Sequence, residues 1–190
     1  MEVNYNMSTI DKHIENYNAL YAEQPMLRPK IGSVKLNVSL GVAGDPLEKA
    51  KKIIENIAEQ TPVETVSHNT WRSWGIRKGQ PVGVAVTVRG PKAYELLMKL
   101  FHAKEYMLKS KSIDRQGNFG FGIREHIDIP GQQYDPNLGI IGLDVLVQME
   151  RSGYRVKRRK YKPNSIGKKH TITPEETQVF LRQNYDIKLI

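Results

Sequence analysis

Alternating apolar and polar residues predict the first strand of the chain. Between residues 33 and 42, every second position is apolar, and the positions between carry polar side chains: Val34, Leu36, Val38 and Leu40 against Lys35, Asn37 and Ser39. A period of two gives a strand one apolar and one polar face. Shorter apolar runs predict further strands at residues 63–66, 82–90, 126–129 and 143–149.

Apolar residues at helical spacing predict four helices. The first spans about residues 8–23, with Ile10, Ile14, Tyr17 and Tyr21 on one stripe. The second buries Leu47, Ala50, Ile53, Ile54 and Ile57, and the third, opened by Gly90 and Pro91, buries Tyr94, Leu97, Leu100 and Phe101. A fourth packs through Val179, Phe180 and Leu181.

Two of these helices carry start signals. Asp45 with Pro46 and Glu48, and Thr173 with Pro174 and Glu176, have the spacing of an N-cap residue, a first-turn proline and a capping-box carboxylate.

Strands and helices do not alternate as in a doubly wound parallel sheet. The pattern therefore favours an α+β fold with a mostly antiparallel sheet and helices on one face. We expect one domain, with a core at residues 8–150, a basic loop or hairpin extension at 151–170, and a C-terminal helix at 171–190 that packs on the core.

Composition excludes several classes of site. The chain has no cysteine, which rules out disulfides, thiolate metal ligands and cysteine nucleophiles. No apolar run is long enough to predict a membrane span. The five histidines are far apart, and no pair has the spacing of a helix-borne metal site, so we expect neither metal nor cofactor.

The net charge of +9 is concentrated in residues 151–170, which we call the basic segment. It holds nine Lys or Arg and no carboxylate, and the 29 basic residues of the chain less these nine equal its 20 acidic residues. A solvated loop is one interpretation, but such a block favours a polyanion, and we expect RNA. The candidate contacts are Arg155, Lys157, Arg158, Arg159, Lys160, Lys168 and Lys169.

Residues 69–80, here called the tryptophan loop, place two indoles among cations. Trp71 and Trp74 lie three positions apart, and the loop also offers Asn69, Arg72, Arg77 and Lys78. Indole and guanidinium groups suit stacking on bases and pairing with phosphate. The tryptophans could instead plug the core, or one could point inward and one outward.

The polar side chains of two strands suggest a second RNA-binding surface. If the strands at 33–42 and 82–90 are neighbours, then Lys35, Asn37 and Ser39 of the first and Thr87 and Arg89 of the second share a face that carries no carboxylate, which suits a nucleic-acid backbone. An ordinary solvated face is the alternative.

The stretch "GNFGFGIREHIDIP" (117–130) only partly matches the RNA-recognition pattern, and we expect a flexible loop that enters a strand. A single-strand RNA binder built on Phe119 and Phe121 remains an alternative. An RNA-processing enzyme using Arg124, Glu125 and His126 is another, although a salt-bridged strand end explains this triplet better.

Four segments together resemble one family, the large-subunit ribosomal protein L5, in its archaeal and eukaryotic branch. They are "KLNVSLGVAGDPLEKA", "WGIRKGQPVGVAVTVRG", "GNFGFGIREHIDIPGQQYDPNLGIIGLDV" and "IGKKHTITPEETQVFLRQNYD". The resemblance runs from about residue 8 to the C-terminus.

The resemblance implies a non-catalytic protein of cytoplasmic ribosomes that binds 5S rRNA in the central protuberance, beside neighbouring proteins. It assigns Asn37, Gln60 and Thr87 to 5S rRNA, with Lys35 and Arg89 as further contacts. The tryptophan loop would approach P-site tRNA, and residues 134–142 would join a bridge to a small-subunit protein. The bacterial form lacks most of the basic segment, for which we expect large-subunit rRNA or tRNA.

Overall fold

The computed structural model describes residues 7–41 and 44–190, with side chains from residue 13 onward. The helices are α1 (Met7–Glu23), α2 (Asp45–Ala58), α3 (Pro91–Ala103), α4 (Arg155–Arg158) and α5 (Pro174–Tyr185). The strands are β1 (Lys30–Ser39), β2 (Val63–Val66), β3 (Pro81–Val88), β4 (Met107–Leu108), β5 (Phe119–Ile123), β6 (Leu143–Glu150) and β7 (Lys188–Leu189). The side chain of Ile10, predicted on the stripe of α1, lies outside the described part.

Five strands form one antiparallel sheet in the order β2-β3-β1-β6-β5. The short strands β4 and β7 pair in parallel and tie the C-terminal end of the chain to the segment after α3. The α+β class and the antiparallel sheet predicted from sequence are confirmed.

The core lies between one face of this sheet and the helices. Val34, Leu36 and Val38 of β1 are buried together with the apolar stripes of α2 and α3. Because side chains alternate along a strand, the intervening residues of β1 point away from the helices. The sheet therefore has one face that no helix of the described residues covers.

The start of α2 differs from the prediction. Its N-cap is Gly44, whose carbonyl accepts a hydrogen bond from the Leu47 amide (2.9 Å), and no side chain of the described residues caps this end. Gly44 has φ 100°, a conformation that glycine adopts readily, so the cap lies one residue before the predicted cap Asp45, and the helix itself begins at Asp45. The capping box of α5 is confirmed, since Thr173 and Glu176 cap each other's backbone amides.

Three other local predictions are wrong. Residues 119–123 form strand β5 rather than a flexible loop, because they pair along their whole length with β6. Residues His126–Asp128 form a 3₁₀ turn rather than a strand. Tyr94 is partly exposed and its hydroxyl accepts a hydrogen bond from the Ile31 amide, so it lies at the margin of the core.

Candidate nucleic-acid interface

The uncovered side of the sheet forms a shallow concave surface. The register sets Lys35 opposite Thr87 across the β1–β3 pair, and Asn37 opposite Asp144 across the β1–β6 pair. We call this surface the open face, and the polar residues that line it are Ser33, Lys35, Asn37, Thr87, Arg89, Ser112, Asp114, Asn118, Asp144 and Gln148. Four of the five residues proposed for 5S rRNA thus lie together.

The open face is not free of carboxylates, contrary to the sequence-based expectation. Strand β6 lies between β1 and β5, and this arrangement brings Asp144 beside Asn37. Asp114 lies at the rim of the same concavity. Sequence reasoning missed Asp144 for a simple reason. The alternation along β6 shows which of its residues share a face, but it does not show which strand lies next to β6 in the sheet.

Cationic and acidic groups occupy different parts of this surface. Lys35 and Arg89 belong to β1 and to the end of β3, whereas Asp144 and Asp114 lie towards β5. No ion pair in the described part of the chain joins Lys35 or Arg89 to a carboxylate. Both cations therefore remain available for phosphate groups.

Gln60, the fifth proposed 5S rRNA contact, does not lie in the concavity. It is exposed in the connection between α2 and β2, on the edge-strand side of the sheet. The sequence places Gln60 after α2 but does not show on which side of the sheet this connection lies. The structure brings Asn37 and Thr87 together and leaves Gln60 outside their group.

Both tryptophans of the chain are exposed in the tryptophan loop. Trp71 is 48% and Trp74 is 70% exposed, and their rings pack against each other with centroids 5.5 Å apart. The core-plug interpretation is therefore wrong for both residues. Asn69, Arg72, Arg77 and Lys78 are exposed around them.

The basic segment is a folded extension without a hairpin. It contains α4 and a 3₁₀ turn at Lys168–His170. Its first residue, Arg151, is buried and forms an ion pair with Glu176. That carboxylate also accepts a hydrogen bond from the Tyr21 hydroxyl (3.4 Å), so the root of the segment is joined to α1 and α5.

Two of the nine cations in the basic segment are already paired. Arg151 pairs with Glu176, and Arg158 pairs with Glu150 at the end of β6. The other seven have no carboxylate partner within the described ranges, and each of them is exposed. They are Arg155, Lys157, Arg159, Lys160, Lys162, Lys168 and Lys169. The segment thus remains strongly cationic after folding.

The alternative sites proposed from residues 117–130 do not form in the structure. Phe119 is buried and Phe121 partly buried against the ring of Phe101, so they do not form a stacking surface. His126 is buried, and its Nδ1 accepts a hydrogen bond from the Ile141 amide (3.3 Å). Arg124 and Glu125 are exposed and make no ion pair in the described part, so the predicted salt-bridged strand end is also wrong.

Metal and membrane sites are not found among the described residues. Their His, Asp and Glu side chains form no group of three or more that could hold a metal ion. No helix in residues 7–41 and 44–190 combines the length and apolar character that a membrane crossing requires.

Comparison with known proteins gives consistent matches over nearly the whole chain. Residues 24–77 match the family ribosomal protein L5, and residues 81–187 match the C-terminal part of the same ribosomal family. The large ribosomal subunit protein uL5 of Methanococcus maripaludis is 42% identical over 178 residues, which cover 92% of this chain and 98% of that protein.

Two further relatives from archaea also carry the name large ribosomal subunit protein uL5. The protein of Sulfurisphaera tokodaii is 42% identical over 167 residues (87% of this chain, 94% of the relative). That of Nitrosopumilus maritimus is 41% identical over 165 residues (87% and 95%). These matches confirm the resemblance and its archaeal branch. The chain belongs to the ribosomal protein L5 family.

Proposed function

We propose that this protein of the large ribosomal subunit binds 5S rRNA with the open face of its sheet and helps to anchor that RNA in the central protuberance. Its role is structural, and no catalytic step is involved. The observation that carries the proposal is the grouping of Lys35, Asn37, Thr87 and Arg89 on one concave surface without helical cover.

The open face suits the backbone of a folded RNA. The ammonium of Lys35 and the guanidinium of Arg89 can neutralise phosphates, and counterions released from the RNA favour the complex. The Asn37 amide and the Thr87 hydroxyl can both donate and accept hydrogen bonds, which suits ribose 2′-hydroxyls as well as phosphate oxygens. Recognition of this kind depends on RNA shape rather than on a base sequence read in a groove.

Asp144 makes the charge distribution of the open face asymmetric. A carboxylate repels phosphate, so we propose that the phosphate chain follows Lys35 and Arg89, away from Asp144. The carboxylate can instead accept hydrogen bonds from ribose hydroxyls or from base amino groups.

We propose three further contacts for other parts of the protein. The tryptophan loop approaches P-site tRNA, and residues 134–142 join a bridge to a small-subunit protein. The basic segment binds large-subunit rRNA, which its seven unpaired cations favour. Gln60, in its exposed position beside the edge strand, contacts 5S rRNA outside the concavity.

Binding to purified 5S rRNA at several salt concentrations tests the proposal. The double variant Lys35→Gln/Arg89→Gln should bind more weakly, and the slope of log affinity against log salt should fall by about 0.7–0.9 for each lost phosphate contact. The control Lys52→Gln/Lys99→Gln removes the same charge from exposed residues of α2 and α3. If both double variants lose affinity equally, the open face is not the binding surface.

A further inference from the structure

The tryptophan loop holds its two indoles against each other instead of against the core. Trp71 and Trp74 are 48% and 70% exposed, and their ring planes are tilted by 36°. Tryptophan normally buries a large area in a core or an interface, and exposed aromatic surface is unfavourable in water. Two such side chains at one site indicate a surface that a partner covers.

Hydrogen bonds fix the shape of this loop. The amides and carbonyls of Trp71 and Ile76 exchange two backbone hydrogen bonds (2.8 and 3.1 Å). At its base, the Ser67 amide donates to the Gln80 carbonyl (2.9 Å) and the Gly79 amide donates to the Ser67 carbonyl (2.8 Å). A loop held in this way loses little conformational freedom when it binds a partner.

The loop backbone also positions the second indole. Gly75 directly follows Trp74 and has φ 67°, a left-handed conformation that lets the chain turn back towards Ile76. The Lys78 amide donates to the Thr70 hydroxyl (3.1 Å), and the Arg77 amide donates to the side-chain oxygen of Gln80 (3.0 Å). These contacts hold the cationic side of the loop beside the two rings.

The charge of the loop identifies the chemistry of the partner. Residues 69–80 contain three cations and no carboxylate. Arg72, Arg77 and Lys78 are exposed, and no ion pair neutralises them within the described chain. Aromatic rings beside unpaired cations match nucleic acid, which offers flat base faces next to phosphates.

We propose that Trp71 and Trp74 form a stacking site for an exposed nucleobase of a folded RNA, while Arg72, Arg77 and Lys78 bind the flanking phosphates. The proposal rests on the proposed function, in which this loop faces RNA, and it adds that the loop recognises the face of a base through its indoles. Stacking on an unpaired base tolerates different sequences, because every base has a π-face.

Intrinsic fluorescence tests this site directly, because the chain contains only two tryptophans and both lie in the loop. Titration with deacylated tRNA and with short single-stranded oligoribonucleotides should quench the emission, because a stacked base contacts the indoles. Trp71→Phe and Trp74→Phe each leave one reporter and show which ring is covered.

Matched variants separate stacking from charge. Trp74→Ala should weaken binding of the oligoribonucleotides and of tRNA about tenfold and leave the salt slope unchanged, whereas Trp74→Phe should retain most of the affinity. Arg77→Gln and Lys78→Gln should each lower the slope by about one. Because Trp74 is largely exposed, its variants should keep the fold, which circular dichroism checks.

The two RNA-binding surfaces can fail independently. Trp74→Ala should leave the affinity for 5S rRNA unchanged, and Lys35→Gln/Arg89→Gln should leave quenching by oligoribonucleotides unchanged. The stacking site is overturned if no RNA quenches the emission and Trp74→Ala binds tRNA as tightly as the unmodified protein. It is equally overturned if photo-crosslinking from this loop in assembled ribosomes reaches a protein and no RNA.

Discussion

At the scale of single residues, the buried pair Arg151–Glu176 is expected to have a large effect on stability. Both side chains are almost fully buried, and Glu176 also bonds the Tyr21 hydroxyl and the Thr173 amide. Removing one partner of such a pair leaves an uncompensated charge in the interior. The pair therefore joins α1, α5 and the root of the basic segment in one polar cluster.

We expect Glu176→Gln to lower the free energy of unfolding by about 3–5 kcal/mol, because it leaves Arg151 buried without its counter-ion. Urea unfolding followed by circular dichroism measures this loss. Lys92→Gln is the control, since it breaks an ion pair with Glu59 in which both side chains are 67% exposed, and it should cost about 0–1 kcal/mol. Equal losses in the two variants would contradict the structural role of the buried pair.

Buried tyrosines predict a loss of stability at high pH. Burial raises the pKa of Tyr185 from its ordinary value of 10.0 to about 12, and the nearby Tyr94 adds to the effect. Burial likewise raises the pKa of Tyr21, and Glu176 adds to that shift. Between pH 10 and 12 the unfolded chain therefore releases protons that the folded chain retains, so stability falls as the pH rises through this window.

Tyr185→Phe should make this fall in stability shallower, because the unfolded variant has one phenol fewer to ionise. Thermal unfolding at a series of pH values from 9 to 12 measures the effect. Tyr161→Phe, at a side chain that is 76% exposed, should leave the profile as it is. A Tyr185→Phe profile identical to that of the unmodified protein would contradict the assignment.

At the scale of elements, the basic segment combines a fixed root with an exposed cationic surface. Its backbone is bound internally by α4 and by the hydrogen bond from the Asn164 amide to the Val156 carbonyl (3.2 Å). The seven unpaired cations thus lie on a folded extension rather than on a structureless tail. Such an extension binds RNA with less loss of conformational freedom than a disordered one.

Neutralising Arg155, Lys157 and Lys160 to Gln together should weaken binding to large-subunit rRNA and lower the salt slope by up to about 0.7–0.9 for each lost phosphate contact. Filter binding at several salt concentrations measures the slope. Arg158→Gln serves here as the control, because Arg158 is already paired with Glu150. An unchanged slope in the triple variant would remove the segment from the RNA-binding surface.

Elements with strong local periodicity were predictable from sequence. Strand β1 alternates strictly from Ser33 onward and α2 has a complete apolar stripe, so each carries its own local signal. The capping box of α5 was equally readable, because all its parts lie within four residues.

Elements that depend on distant partners were not predictable. Gly120 and Gly122 weaken the local tendency of β5 to form a strand, and only its pairing with β6 makes it one. The same limit applies to the candidate sites. In the sequence, Arg151 resembles any other cation of the basic segment. Only the fold shows that it pairs with Glu176, which lies 25 residues later. The carboxylate of Asp144 reaches the open face only through the strand order.

At the scale of the whole molecule, the candidate RNA contacts occupy separate surfaces. Helices cover one side of the sheet, the open face lies on the other, and the tryptophan loop and the basic segment extend from the fold. Under the proposed contacts, one small protein binds several RNA segments at once. The account depends most on the open face, since the proposed binding of 5S rRNA rests on it.

Lysine acetylation of the protein alone and in complex with 5S rRNA tests that claim most directly, with each site quantified by mass spectrometry. Lys35 on the open face and Lys52 and Lys99 on the helical side are all exposed in the free protein, so they provide a probe and two internal controls. The account predicts that 5S rRNA slows acetylation of Lys35 and leaves Lys52 and Lys99 as reactive as before. Protection of Lys52 or Lys99 with Lys35 still fully reactive would contradict it.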